Sequence, residues 1–400
     1  MSPDIEGELA WAEYVAVEPA PRQECLGIVV DDNRAQKAEE SFQGPPPRWD
    51  RLFPSLRGSH WTLRPEDSAN SQPQSGAIGN TGGMEPKALW CVSAGEATLQ
   101  AANEGEGVLV HTLFSGISRG TEKLVFQGLV PESEYSRMRG PHQEGDFPFP
   151  VKYGYSVVGR VATADDDEQL VFALHPHQSV FRLPDDMLTT IPPGVPAERA
   201  ILAANAETAL TIIWDSGVSA GDSVAVVGGG VIGLLVGYLA AQIPGTTVTL
   251  VEPNSARESV ARSLGMDFSH PDDAPAECDV VVHASATAEG LSTALESAGH
   301  NATVVEASWH GQRDVAVSLG GAFHSKRLRL ISSQVGHIPP ARTPRWTLQR
   351  RLRAALQMLA DPRLDVLISG ETAFGDLAER YRAILSDPMT LCHRVRYSPN

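Results

Sequence analysis

The sequence has only four cysteines in 400 residues, and they are widely scattered: Cys25, Cys91, Cys278 and Cys392. No two of them form a C-x-x-C pair, which would indicate a redox motif or a cysteine-based zinc site. A disulfide framework would need more cysteines at a closer spacing. We therefore expect neither a disulfide scaffold nor a structural zinc lobe.

Positive charge is also scarce. There are 32 Lys and Arg against 49 Asp and Glu, which gives a formal net charge of −17. A chain with this balance is repelled by phosphate backbones and by anionic membrane surfaces. We therefore expect no nucleic-acid and no membrane partner, and a small molecule as the substrate. The first residues also lack the basic and apolar regions of a secretion signal, so the expected location is the cytoplasm.

Regular hydrophobic periodicity is weak before Met84. Residues 1–83 are rich in Pro, Gly, Ser and acidic residues, and the segments 44–47 and 68–83 have the composition of linkers. We predict that residues 1–83 are a low-complexity, disordered extension. Met84 is then the expected start of the folded protein and of translation. The alternative is that the extension has a regulatory or docking role.

One long uncharged stretch, Val224–Ile243, lies inside a recognisable order of elements. An apolar strand pattern, Val224–Val227, is followed at once by G-x-G-x-x-G, formed by Gly228, Gly229, Gly230, Val231, Ile232 and Gly233. A helix-like run, Leu234–Gln242, and a second strand, Thr247–Val251, come next. The second strand ends in an acid, Glu252, which lies about 20 residues beyond the last glycine, as in dinucleotide-binding sequences.

Each part of this pattern suits a dinucleotide. The three glycines allow a tight turn, close approach of a pyrophosphate, and close packing of helix on strand. The free N–H groups at the helix start attract phosphate. Glu252 can accept hydrogen bonds from both hydroxyls of a ribose and would repel a 2′-phosphate, so the pattern predicts NAD(H) rather than NADP(H). The alternatives are a buried strand–helix pair with convenient glycines, or a membrane span over Val224–Ile243.

Strand-like and helix-like segments alternate through the rest of this region. The helical segments are Ser255–Leu264 and Leu291–Ala298, and the strands are Asp279–His283, Thr303–Glu306 and Leu328–Ser332. This alternation predicts an α/β domain of the Rossmann type with a doubly wound parallel sheet. Residues 87–174 read instead as β-strands, and 197–214 as one helix. Residues 346–359 form a basic amphipathic pattern, which predicts a packed helix or, alternatively, a helix on a membrane surface.

Three short stretches resemble the medium-chain dehydrogenase/reductase superfamily, which includes the alcohol dehydrogenases. They are Ser-Gly-Ile-Ser at 115–118, Gly-Tyr-Ser-Val-Val-Gly-Arg-Val at 154–161, and Ser-Ala-Gly-Asp-Ser-Val at 219–224. The resemblance covers the chain from Lys87 to about Tyr397. The longer run at 115–122 is more specifically similar to the bacteriochlorophyllide (hydroxyethyl) dehydrogenase branch.

This resemblance implies a domain order and an activity. We expect a β-rich, GroES-like catalytic domain at 84–203, a Rossmann domain at 204–336, and a return to the catalytic domain at 337–400. The superfamily transfers hydride with NAD(P), and its members commonly form homodimers. We count Thr208 and Arg257 with the cofactor-binding residues, and Arg257 would hold the 2′-phosphate if the cofactor were NADP(H).

The resemblance departs at the zinc ligands. Where zinc members of the superfamily have Cys, His and Glu, this chain has Ser118, Tyr155 and Ser156. The later ligand would fall near Ala204, where there is neither Cys nor Asp. Neutral hydroxyl groups are poor zinc ligands beside thiolate and imidazole. We therefore expect a zinc-independent protein with no metal site.

Without a metal, hydride transfer to a ketone needs another group to stabilise the oxyanion or to protonate it. Tyr155 stands at a lost ligand position, and Ser118 and Thr121 lie in the other lost-ligand segment. We predict that Tyr155 and His175 form a proton relay near Ser118 and Thr121. Tyr155 could instead fill space left by the missing metal, and His175 could be structural.

Three functions are compatible with these residues. The first is an NAD(H)-dependent oxidoreductase acting on a secondary alcohol or ketone, including a bulky one such as a ring bearing a hydroxyethyl group. The second is a quinone or enone reductase, where the charge is delocalised in the substrate and no metal is needed. The third is a nucleotide-binding protein without turnover. Because fold does not fix function, the choice rests partly on the resemblance.

Overall fold

The computed structural model describes residues 85–162 and 168–398. All of them belong to one compact unit, Ile78–Asn400. The predictions for residues 1–83, and for Met84 as a start, lie outside the described residues.

The first part of the described chain is rich in β-strands, as predicted. Its strands are β1 (Lys87–Ser93), β2 (Glu96–Ala101), β3 (Val108–Ser118), β4 (Glu144–Gly145), β5 (Val151–Lys152), β6 (Val157–Ala162), β7 (Glu168–Ala173), β8 (Val180–Leu183) and β9 (Thr189–Thr190). One sheet has the order β2-β1-β5-β4, and all its pairs are antiparallel. β3, β6, β7 and β9 belong to a second, larger sheet, in which β8 pairs with β3.

The nucleotide-binding pattern lies in a six-stranded parallel sheet. Its strands are β10 (Ser223–Val227), β11 (Thr247–Val251), β12 (Asp267–Ser269), β13 (Cys278–His283), β14 (Ala298–Glu306) and β15 (Arg329–Ser332). Their order, β12-β11-β10-β13-β14-β15, is the order of dinucleotide-binding domains, with the switch point between β10 and β13. The prediction of a doubly wound Rossmann sheet is therefore confirmed.

The last strands return to the β-rich region. β16 (Ile368–Ala373) and β17 (Cys392–Arg396) pair with each other, and β17 pairs antiparallel with β3. This pairing places Cys392 opposite Ser118, at the end of β3 that meets the candidate site.

Eight α-helices accompany these strands in the described residues. They are α1 (Arg119–Phe126), α2 (Ala197–Ala200), α3 (Ala203–Ser216), α4 (Val231–Ala241), α5 (Glu258–Ser263), α6 (Ala288–Ser297), α7 (Leu348–Met358) and α8 (Leu377–Ser386). The uncharged stretch that could have been a membrane span is thus a strand, a turn and a short helix. Among the described residues, no helix is both long and apolar enough to cross a bilayer.

Two helices differ from the sequence-based expectation. Residues 197–214, predicted as one helix, form α2 and α3 with a turn between them, where the Ile201 carbonyl accepts a 2.5 Å hydrogen bond from the Ser156 hydroxyl. The helix predicted from Leu234 starts three residues earlier, at Val231. The last motif glycine, Gly233, therefore lies inside the helix.

The core connects the two main sheets. One buried cluster runs from Val158 and Phe172 of the larger β-sheet through Ala206 and Ile212 of α3 to Leu234 of α4. Because protein interiors are close-packed and transmit displacement, this shared core fixes the geometry between the β-rich region and the nucleotide-binding sheet.

Candidate cofactor and substrate site

The glycine turn after β10 has the shape of a phosphate cradle. Gly228 has a φ of +114°, and a Cβ there would lie 2.6 Å from the Ser285 nitrogen. A Cβ on Gly233 would overlap the Gly228 carbonyl oxygen, so the helix can pack this closely only with glycine. A Cβ on Gly230 would meet open space instead. The turn therefore presents bare backbone and the start of α4 to a crevice at the switch point of the sheet.

Glu252 is fixed against this turn. Its Oε2 accepts a hydrogen bond of 2.6 Å from the Gly229 N–H, and its Oε1 accepts one of 3.0 Å from the Asn254 N–H. The side chain is only partly buried. Because a carboxylate has about four acceptor positions, two remain for the hydroxyls of a ribose.

The other two residues counted with the cofactor site have partners of their own. Arg257 is buried, and its Nη2 donates a 2.8 Å hydrogen bond to the Pro388 carbonyl. Burial lowers the pKa of Arg257, and the charge of Glu252 acts in the opposite direction. The Thr208 hydroxyl donates to the Ala204 carbonyl at 2.9 Å, one turn back along α3. These contacts leave the preference between NAD(H) and NADP(H) a prediction.

The structure brings three of the four predicted catalytic residues together. The Tyr155 side chain lies close enough to the side chains of Ser118 and Thr121 for both to lower the pKa of its hydroxyl. Ser118 ends β3 and Thr121 lies in the first turn of α1. A further residue, Asn205, joins them, since its Nδ2 donates to the Ser118 Oγ at 3.2 Å. Sequence reasoning missed Asn205, although it directly follows Ala204, where the last zinc ligand was sought.

The Tyr155 hydroxyl keeps its proton at neutral pH. Burial, with the negative charge of Glu122, raises the pKa of Tyr155 to about 12, while the hydrogen bonds with Ser118 and Thr121 act in the opposite direction. A hydroxyl with this pKa can donate a hydrogen bond or a proton to a developing oxyanion.

Glu122 anchors the segment that carries Ser118 and Thr121. Its Oε1 accepts from the Ser118 N–H at 2.7 Å, and its Oε2 accepts from the Tyr381 hydroxyl at 2.6 Å. The same Oε2 lies 2.9 Å from His177 Nε2. The His177 Nδ1 in turn lies 2.8 Å from the Ser115 Oγ. All five residues are buried, so this network holds the segment that carries Ser118 and Thr121 in a fixed position.

The fourth predicted catalytic residue, His175, makes different contacts. Its Nδ1 lies 3.0 Å from the Pro176 carbonyl oxygen, and its ring stacks on Phe181 with 3.8 Å between the centroids. Burial lowers the pKa of His175 to about 3, so the buried ring is neutral. No hydrogen bond between His175 and Tyr155 occurs in the described part of the chain. The relay of these two residues remains a prediction.

A second polar cluster lies where β13 and β14 end. His283 and Glu306 are the last residues of these neighbouring parallel strands, and His310 follows shortly after. Ligand atoms of these three side chains lie within 4.8 Å of one another, which makes this a group that could hold a metal ion. Sequence reasoning missed it, but a signal existed: two ionisable residues end two strands that were both predicted.

Comparisons with solved structures identify the fold. L-idonate 5-dehydrogenase from Escherichia coli superimposes with a TM-score of 0.62 at 15% identity, over 78% of this chain and 98% of that one. For 2R,3R-butanediol dehydrogenase from Bacillus subtilis the TM-score is 0.61 at 18% identity, over 79% and 100%. The yhdH oxidoreductase from Salmonella enterica, in complex with NADP, gives 0.58 at 16% identity, over 78% and 100%. The chain therefore has the fold of the medium-chain alcohol dehydrogenases.

A curated relative is similar in sequence over part of the chain. D-guloside 3-dehydrogenase from Escherichia coli K12 is 26% identical over 208 residues, which are 48% of this chain and 59% of that enzyme. The protein of the same name from Shigella flexneri matches to the same extent. The chain thus spans about three fifths of the length of the curated relatives it matches. No family model matches the chain.

Proposed function

We propose that this protein is an NAD(H)-dependent oxidoreductase that transfers hydride between a nicotinamide cofactor and a secondary alcohol or its ketone. The observation that carries the proposal is the cradle at the switch point, where a bare glycine turn lies against Glu252. The dehydrogenases with the same fold and the curated dehydrogenase relative support it.

We further propose that the reaction needs no catalytic zinc. The superfamily implies zinc at the positions held here by Ser118 and Tyr155, and the side chain of Asn205 lies beside them. Two neutral hydroxyls and an amide do not fit zinc, which binds thiolate, imidazole or carboxylate in proteins. The nearest carboxylate, Glu122, has both oxygens in hydrogen bonds.

In place of a metal, Tyr155 acts on the substrate oxygen. A bound nicotinamide cofactor would supply hydride to the carbonyl carbon of a ketone, and negative charge would develop on the ketone oxygen. The Tyr155 hydroxyl donates its hydrogen bond, and then its proton, to that oxygen. Ser118 and Thr121 lie beside the Tyr155 hydroxyl and serve to orient it. With a pKa near 12, the Tyr155 hydroxyl stays protonated at neutral pH and is available as the donor.

The substrate class follows in part from the relatives. A guloside 3-dehydrogenase acts, by its name, on a secondary hydroxyl of a sugar ring. We propose a ring-bearing secondary alcohol, either a glycoside or the hydroxyethyl-substituted ring suggested by residues 115–122. His175 remains the proposed second member of the proton relay, although its contacts support the structural alternative.

The experiment is a substrate screen with the full chain. NADH oxidation is followed with keto-glycosides, acetyl-substituted rings, and enones or quinones, with NADPH in parallel. Turnover of the ketones supports the proposal. Turnover of enones alone would favour the reductase alternative. Tight NADH binding with no turnover of either class would favour a binding protein.

The assembly and location are part of the proposal. We propose a homodimer in the cytoplasm, on the habit of the superfamily and the acidic composition. Sedimentation analysis tests the dimer, and a single species at the mass of one chain would contradict it. Fractionation of the source cells tests the location.

A further inference from the structure

The cluster of His283, Glu306 and His310 is separate from the Tyr155 site and unused by the proposed reaction. His283 lies beside Val227, the last residue before the glycine turn, in the pairing of β13 with β10. The side chain of His283 is fully buried, while those of Glu306 and His310 are 18% and 16% exposed. The cluster therefore lies at the carboxyl edge of the nucleotide-binding sheet and is reachable from the crevice.

One ligand atom of each side chain lies within 4.8 Å of the other two. His283 Nδ1 lies 2.7 Å from Glu306 Oε2, and His310 Nε2 lies 3.5 Å from the same oxygen. Tetrahedral zinc, with bonds of about 2.0–2.1 Å, sets its ligand atoms roughly 3.3–3.4 Å apart. The second distance already matches this value. The first is a hydrogen bond, which has to open by roughly 0.6–0.7 Å to admit the ion.

Two of the three remaining polar atoms of the cluster have supporting partners. His283 uses its other nitrogen, Nε2, in a 2.7 Å contact with the Ser285 Oγ, and Glu306 Oε1 accepts a 2.8 Å hydrogen bond from the Ser308 N–H. Metal-binding histidines and carboxylates are held in this way by partners on their non-ligating atoms. The buried Nδ1 of His310 finds no hydrogen-bond partner among the described residues.

We propose that His283, Glu306 and His310 form a binding site for a divalent transition-metal ion, with zinc as the best-suited ion and one coordination position open to the crevice. Two imidazoles and one carboxylate are a donor set that zinc uses in proteins, and Co²⁺, Ni²⁺ and Fe²⁺ accept it as well. The ion replaces the hydrogen bond between His283 and Glu306 with two metal–ligand bonds. The site differs from the zinc position of the superfamily, where Ser118 and Tyr155 stand, and it revises the expectation of no metal site.

The test is a titration of the tag-free full chain with Co²⁺, which reports its coordination through visible absorption bands, followed by displacement with Zn²⁺. Two variants remove ligands, His310→Ala and Glu306→Gln, and circular dichroism checks their folding. The matched control is His300→Ala, because His300 is an exposed histidine on the same strand, β14. NADH binding is measured on all four proteins by fluorescence.

Wild type and the His300 variant should bind one equivalent of Co²⁺ with the spectrum of a low-coordinate site. Each ligand variant should weaken binding by at least about tenfold. The inference is overturned if wild type shows no such spectrum, or if the three variants bind alike. The NADH data separate this result from the proposed function, because metal binding and cofactor binding can each fail while the other is retained.

Discussion

The Glu252 carboxylate accepts a hydrogen bond from the backbone N–H of Gly229 at 2.6 Å. This bond fixes Glu252, which follows β11, to the middle of the glycine turn that follows β10. A Cβ on Gly229 would lie 3.0 Å from the Glu252 side chain, so a larger residue there would have to displace the acid. This relationship links the glycine turn to the residue that we propose selects the ribose.

The first prediction concerns that selection. Glu252→Gln should weaken NADH binding by roughly tenfold, because a hydrogen bond to a charged acceptor contributes about 1.5–3 kcal/mol and the amide offers only one acceptor oxygen. Discrimination against NADPH should also fall, because the repelling charge is gone. Fluorescence titration with both cofactors measures the two effects. Glu258→Gln is the control, since this acid pairs with Arg262 on the surface. Equal affinities in wild type and Glu252→Gln would contradict the assignment.

The second prediction concerns Tyr155. Tyr155→Phe should lower turnover of a ketone by about 10²–10³-fold, the usual cost of losing one donor to an oxyanion. NADH binding should stay unchanged, because the hydroxyl contacts Ser118 and Thr121 rather than the glycine turn. Tyr135→Phe is a suitable control, since that ring packs on Phe147. If both variants turn over like wild type, Tyr155 only fills space.

The third prediction separates the two roles of His175 by pH. The pKa of His175 is about 3 in the fold and about 6.5 in an unfolded chain. The unfolded state therefore binds more protons between these values, so folding stability falls as the pH drops below about 6.5. His175→Phe should flatten that decline while keeping a ring on Phe181. Urea unfolding at pH 7, 5 and 4 measures it.

A catalytic His175 would give a different pattern. In that case the Phe variant would lose turnover at neutral pH, where the histidine of the fold is already neutral. Unchanged turnover, together with a smaller decline of folding stability at acid pH, would assign His175 to the core. Loss of turnover with unchanged NADH binding would restore the relay with Tyr155.

The fourth prediction concerns alkaline pH. Burial raises the pKa of Tyr155 to about 12 and holds the pKa values of Tyr153, Tyr381 and Tyr397 above their usual range. These phenols bind protons more tightly in the fold, so their contribution is complete below about pH 10 and is lost as the pH rises further. Ultraviolet titration should show that these four tyrosines ionise only when the protein unfolds. Normal ionisation of all tyrosines in folded protein would contradict the burial.

Much of the fold could be predicted because its signals are local. The strand, glycines, helix, second strand and Glu252 follow each other within 30 residues, and all appear in the structure. The break between α2 and α3 could not be predicted, since it depends on a hydrogen bond from Ser156, 45 residues away. The burial of Arg351, in the basic helix at residues 348–358, could not be predicted either. It depends on Glu207, which lies far away in the sequence and 2.9 Å away in the structure.

The candidate site was predictable only in part for a related reason. Resemblance to a family pointed to Ser118, Thr121 and Tyr155, which the structure brings together. Asn205 and the cluster around Glu306 bring no family motif with them. Asn205 meets Ser118, and Glu306 meets His283, only when distant segments are folded together.

The most direct test of the account is a pair of fluorescence titrations of the full chain, one with NADH and one with NADPH. We expect saturable NADH binding and markedly weaker NADPH binding, because in our proposal the glycine turn holds the pyrophosphate and Glu252 accepts the ribose hydroxyls. Preference for NADPH would mean that Glu252 does not select the ribose, and would shift weight to the reductase alternative. Binding of neither cofactor by the folded protein would contradict the central claim.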